Sequence, residues 1–150
     1  MSHRPYSYRD DPAVPRFDDG GPVFVYDGDC VLCSGFVRFV LARDRDARFR
    51  FCAGQSPLGA ALFRHYGYDA VDFETNLLVV DGRAHVRMAA FVGVMRRLPW
   101  PWRLFAVAGR IPRPAGDWLY DRVARNRYRL FGRRARCLVP APDQRHRFID

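Results

Sequence analysis

The chain has 150 residues, 49% of them hydrophobic and 15% aromatic, with a formal net charge of +9. That is the size and make-up of one packed domain; it excludes wholesale disorder, and no apolar run approaches the ~20 residues that a membrane-spanning helix needs. The charge is polarised: from Arg96 onward there are 14 Arg against 4 Asp, and before it 11 Arg against 12 acids, so a basic surface is confined to the last third and no nucleic-acid partner is expected.

In chain order, Met1 to Gly21 is polar, carries Pro5, Pro12 and Pro15, and has no apolar core. It reads as a flexible tail on a cytoplasmic protein and not as a signal peptide. Val23 to Asp27 is rich in β-branched and aromatic residues, the make-up of a short buried strand, and Asp27-Gly28 supplies the turn that stops it. Leu32, Phe36, Phe39 and Val40 then recur at three- and four-residue steps, which predicts a helix from near Cys30 to about Ala42. The order strand, turn, Cys-x-x-Cys, helix puts Cys30 at the helix entrance and Cys33 one turn inside.

Arg48 to Cys52 alternates polar and apolar as a strand does, and Ser56-Pro57 opens a second helix that ends near Gly67. His65 falls at that helix end and reads as a surface residue, not a ligand. Thr75 to Asp81 and Arg83 to Arg87 flank Asp81-Gly82 as a hairpin, and Met88 to Arg97 returns to helical spacing. The order β, α, β, α, β, β, α is that of the thioredoxin-like fold. It predicts a mixed four-stranded sheet ordered Arg48–Cys52, Pro22–Asp27, Thr75–Asp81, Ala84–Arg87, flanked by helices.

Past Pro99 the composition turns to Trp, Arg and Pro, with a short helix from Trp100 to Ala108 and a longer one from Pro114 to about Tyr128. The expected organisation is therefore a tail over 1–21, a core over 22–98, and over 99–150 an Arg-rich helical extension packed on the core, followed by a C-terminal tail. Trp102, Trp118 and Phe131 are expected to be at least partly buried, with Trp118, Leu119 and Val123 sharing a face. Arg-rich helices with Trp also suit weak contact with a membrane surface.

Of the four cysteines, Cys30 and Cys33 form the single close pair; Cys52 and Cys137 are distant. No second pair or His pair supplies zinc-ligand spacing, so neither a metal nor another cofactor is expected. The dithiol reads as a thiol-disulfide exchange site, with Cys30 as the nucleophilic thiolate and Cys33 as the resolving thiol, shielded by Phe36 and the strand behind it. Asp27 and Asp29 either carry protons for this site or form the turn and cap the helix. Asp27-x-Asp29 after a strand also resembles the first motif of haloacid-dehalogenase-like phosphatases, with Asp117 and Asp121 imitating their metal motif. Those two acids, however, sit inside a helical pattern and follow no buried strand. A non-catalytic module binding an anionic partner through the C-terminal arginines is the alternative.

Tyr26-Asp27-Gly28-Asp29-Cys30-Val31-Leu32-Cys33, Gln55-Ser56, Trp102-Arg103-Leu104, Ile111-Pro112-Arg113 and Asn126 to Gly132 together resemble the DCC family of thioredoxin-like thiol-disulfide oxidoreductases, over about Pro22 to Pro140. The resemblance implies a redox enzyme acting through Cys30 and Cys33 on a protein or low-molecular-weight thiol or disulfide. Better-known thioredoxin relatives place a cis-proline before the third strand, facing the cysteines. Here that position holds Thr75-Asn76, so a different mode of substrate binding is expected.

Overall fold

A computed structural model of the protein describes residues 6–17, 19–46, 48–69, 75–131 and 142–149. Strands β1 (Val23–Tyr26), β2 (Arg50–Ala53), β3 (Leu77–Val80) and β4 (Arg83–Val86) form one sheet in the order β2-β1-β3-β4. β1 is parallel to β2 and antiparallel to β3, and β3 is antiparallel to β4. This is the mixed sheet expected from the element order. Helices α1 (Val31–Arg43), α2 (Pro57–His65), α3 (Arg87–Arg96) and α4 (Arg113–Phe131) surround it, with 3-10 helices at Ser7–Asp10, Trp102–Arg110 and Pro142–Arg147.

Helices cover both faces, so all four residues of the central strand β1 are buried. Side chains alternate along a strand: Phe24 and Tyr26 enter a layer with Val37 and Val40 of α1 and Val94 of α3, while Val23 and Val25 enter one with Leu58 and Leu62 of α2. The same alternation puts Phe51 with α1 and Cys52 with α2, and both are fully buried. Ser56 caps α2, its Oγ accepting from Gly59 N–H at 3.1 Å, with Pro57 following. A side chain at Gly59 would put Cβ 2.1 Å from the Ala53 carbonyl, so glycine lets α2 sit tight on the end of β2. The hairpin turns through Asp81 (φ 51) and Gly82 (φ 77), the two left-handed residues of a type I′ turn.

Three parts of the chain depart from the sequence reading. Within the expected tail, Tyr8 and Val14 are buried in the α2-side core, and a polar clamp holds them. Tyr8 Oη donates to Asp19 at 2.9 Å, Arg9 Nε donates to the same carboxylate at 2.9 Å, and His65 Nδ1 lies 2.8 Å from Asp11. His65 does end α2, but its ring joins the helix to this N-terminal segment, with Ser7 Oγ 2.7 Å from Nε2. Local periodicity carries no sign of this, because every partner is distant in sequence.

At the other end Phe148 bridges Phe51 in parallel, and Ile149 N–H donates to the Phe51 carbonyl at 2.8 Å, covering the outer edge of β2. Arg147, 4% exposed, pairs with buried Asp44, which also accepts from Phe49 N–H at 2.9 Å.

The third departure lies in the extension. Trp102 is half-buried as expected, meeting Phe39 edge-on at 4.9 Å, with the Arg43 guanidinium 4.6 Å from its ring centre. Trp118, however, is 63% exposed, and Leu119 and Val123 are 46% and 40% exposed. The face of α4 that turns inward is Gly116, Tyr120 and Ala124, spaced four apart; a Cβ on Gly116 would lie 3.3 Å from Met88 of α3. Small residues let the helix axis approach, and the large apolar ones are left outside. The Phe131 side chain and Cys137 lie outside the described residues.

Candidate active site

Both cysteines of the close pair belong to the first turn of α1. Cys30 is the helix cap: its backbone is extended (φ −83, ψ 121), its carbonyl accepts the first helical N–H from Ser34, and its Sγ accepts from Cys33 N–H at 3.3 Å. The cap expected of Asp29 is therefore made by sulfur, and the Asp29 N–H is instead taken by Asp27 Oδ1 at 3.0 Å. Asp27, 1% exposed, does form the turn as expected, and Cys30 N–H donates to its carbonyl at 3.2 Å. Gln55, from the loop between β2 and α2, clasps the turn at two points. Its Nε2 donates to Asp27 Oδ1 at 2.7 Å, and its Oε1 accepts from Gly28 N–H at 2.9 Å. Sequence reasoning placed Gln55-Ser56 at the entrance of α2 and in the family resemblance but gave Gln55 no role; that role comes from the parallel β1–β2 pairing, which brings the two strand ends side by side.

The helix N-terminus and the donated N–H favour a negative charge on Cys30 by roughly 0.3–1 kcal/mol, up to about 2 when partly buried. Burial opposes it, and so do the two nearby carboxylates. The Asp27 charge is partly compensated by its two donors.

Cys33 is shielded as expected, but Cys30, expected to be the accessible thiol, is buried as well. Cys30 is 0% exposed and Cys33 6% exposed. Cys33 lies on the wall of a cavity of about 410 Å³, formed between the sheet, α1, α3 and the C-terminal extension, with Phe24, Phe36, Met88 and Phe91 among its apolar lining. Leu119, Tyr120, Val123 and Ala124 of α4 close the far side. α4, laid along α1 and α3, shapes the space that Cys33 lines. Asn76, just before β3, also lines the cavity, and its backbone N–H donates to Tyr120 Oη at 3.2 Å. Met88, Phe91 and Tyr120 were not read as site residues; the row of small and aromatic residues at 116, 120 and 124 is the signal that would have drawn attention to α4.

Cys52 and Asp117 are not part of this arrangement. The Cys52 sulfur lies 3.3 Å from Ser56 Oγ in the other core layer, and Asp117 lies on α4 away from the turn of Asp27 and Asp29. Among the described residues no helix is long and apolar enough to cross a membrane, and no three His, Cys, Asp or Glu side chains form a metal-sized group.

A dithiol in the first turn of the helix that follows the central strand of a β2-β1-β3-β4 mixed sheet is the mark of the thioredoxin-like class. The chain belongs to the DCC1-like thiol-disulfide oxidoreductase family, whose model matches residues 24–133. It is 35% identical over 127 residues to the uncharacterized protein YuxK of Bacillus subtilis, covering 85% of this chain and 93% of that one. It is 36% identical over 122 residues to a chloroplastic DCC family protein of Arabidopsis thaliana, covering 80% of this chain and 70% of that one. No solved structure matches.

Proposed function

We propose that the protein is a thiol-disulfide oxidoreductase that cycles Cys30 and Cys33 between dithiol and disulfide. The observation that carries this reading is the contact of Cys33 N–H with Cys30 Sγ at a helix N-terminus, beside a cavity that Cys33 lines. The two thiols then divide the work. Cys33, on the cavity wall, exchanges with substrate; Cys30, whose charge the helix end stabilises, displaces the substrate sulfur from Cys33 and closes the internal disulfide. In reverse, an external thiolate attacks Cys33 and Cys30 leaves as a thiolate, which the helix N-terminus favours. The sequence order assigned attack to Cys30 and resolution to Cys33; burial of Cys30 supports the opposite assignment.

Equilibration with glutathione redox buffers tests the couple: one two-electron transition lost in either Cys→Ser variant is expected, and its absence from the native chain sinks the reading. Trapping tests the division of labour. Cys30→Ser should accumulate a mixed disulfide on Cys33, and Cys33→Ser should accumulate none; the converse restores the sequence order.

A second surface supports a partner besides the substrate. Among the described residues the large exposed hydrophobics, Trp100 and Trp118 included, all lie between Trp100 and Leu130, in the stretch where arginines outnumber acids. Association with anionic vesicles that weakens steeply with salt is the expected signature.

A further inference from the structure

Resting on the dithiol reading above, we infer that the cavity beside Cys33 is the substrate site and that it takes a low-molecular-weight disulfide with an apolar body, in preference to a peptide or glutathione disulfide. Three observations lead there. About 410 Å³ is the scale of a small-molecule site, which typically spans roughly 300–1,000 Å³. Among the described residues, none on its lining carries a formal charge: Asn76, Tyr120 and Cys33 are the polar ones. The carboxylates of glutathione would have to shed water there without a cationic partner among the described lining residues, a heavy desolvation cost.

The third observation concerns backbone recognition. An extended peptide laid beside the dithiol needs a main-chain donor at the start of β3, and the Asn76 N–H at that place already donates to Tyr120 Oη of α4. The extension thus occupies the backbone donor that a peptide would use and leaves an apolar chamber behind it. Its mouth is on the α4 side, since Ile111, Leu119 and Val123 both line the cavity and are 39%, 46% and 40% exposed.

The chemistry balances within the site. The Cys33 thiolate attacks one sulfur of R–S–S–R, breaking its S–S bond; one R–S⁻ departs and takes up a proton from water, leaving Cys33 joined to the other half. The Cys30 thiolate attacks the Cys33 sulfur, the second R–S⁻ departs, and the Cys30–Cys33 disulfide forms. Two electrons pass from the protein to the substrate.

The test is a single turnover. Fully reduced protein, freed of reductant, is mixed with dipropyl disulfide, glutathione disulfide or insulin, and each rate of Cys30–Cys33 disulfide formation is divided by the rate of dithiothreitol with the same oxidant. Dipropyl disulfide should lead both others by roughly tenfold or more. Filling the chamber with Ala124→Phe should erase that lead while leaving the reduction potential unchanged. Leu119→Gln at the exposed mouth is the milder second variant, and it should lower the dipropyl rate alone. Glutathione disulfide or insulin matching dipropyl disulfide, or both variants keeping the native preference, overturns the apolar-substrate assignment and leaves the dithiol couple standing. Failure of all three oxidants to form the internal disulfide instead overturns the dithiol reading itself.

Discussion

The two faces of the sheet are built from the same four strands and do different work. On the α2 side, Val23, Val25, Cys52, Leu62 and Val79 form a mainly aliphatic layer with Phe63, and the N-terminal segment seals it with Tyr8, Val14 and two polar clamps. On the α1 side the layer is aromatic, with Phe24, Tyr26, Phe49 and Phe51. There the packing ends in a cavity, because α4 approaches through Gly116 and Ala124 and leaves Trp118 outside. A closed face supplies rigidity; the open face holds the dithiol. Residues 148 and 149 join the two at the edge of β2, Phe148 packing on the aromatic layer and Ile149 on the α2-side layer.

The sharpest way to break this contrast is chemical. Cys33→Ser on the open face should cost about 10³-fold or more in disulfide exchange while moving the thermal midpoint little, because Ser fills nearly the same volume. A loss of folding in place of activity would make the dithiol a structural element.

Next in size is the seam between the faces. Arg147→Met leaves the buried Asp44 carboxylate without its cation, and such a loss costs about 3–5 kcal/mol. Urea unfolding of the double variant Arg147→Met with Asp44→Leu should recover part of this. If the single variant unfolds at the native midpoint, the C-terminal segment does not close the edge in solution.

A matched pair of truncations sharpens the comparison directly. Leu62→Ala in the sealed layer, 0% exposed, should cost about 2–5 kcal/mol. Leu32→Ala, half-buried on the cavity wall, should cost less than about 1.5, since its neighbours already leave space on one side. Equal costs by denaturant titration would mean that the open face is packed as tightly as the closed one. Smaller still is Tyr8→Phe, which keeps the ring and removes the hydrogen bond to Asp19; about 0.5–1.5 kcal/mol is expected. No effect would mean that the N-terminal clamp does not hold its residues in place.

The two faces should also differ, slightly, in their response to acid. The Arg9 guanidinium beside Asp19 holds its carboxyl below the ordinary value of 3.8. A depressed folded value stabilises above the unfolded one, so this contribution is intact above pH 3.8 and is lost as pH falls through the folded value. His85 of β4, paired across the strand with Leu78 of the aromatic layer, is also depressed, by partial desolvation and then by Arg97 and Arg83. Its neutral form is favoured in the fold, so stability begins to fall as pH drops below 6.5, well before the Asp19 clamp opens. His85→Gln should remove the earlier decline and Asp19→Asn the later one; a native curve flat from pH 7 to pH 4 would deny the first.

The turn of Asp27 and Gly28, the start of α1 near Cys30, the cap at Ser56 and the hairpin at Asp81-Gly82 were all legible in the sequence. Each depends on residues within about four positions of one another, where backbone preference and capping decide the outcome. The sheet order was legible too, because few connections between such elements are sterically open. Tertiary structure alone decided that Cys30, not Asp29, caps the helix, that Cys33 is the thiol facing the cavity, and that Tyr8 and Arg147 are core residues. It also decided that Trp118 stays outside while Tyr120 reaches Asn76. These depend on which surfaces meet, and a helix pattern alone does not say which of its faces a neighbour will cover: α4 was read by Trp118, Leu119 and Val123 and packs through Gly116, Tyr120 and Ala124.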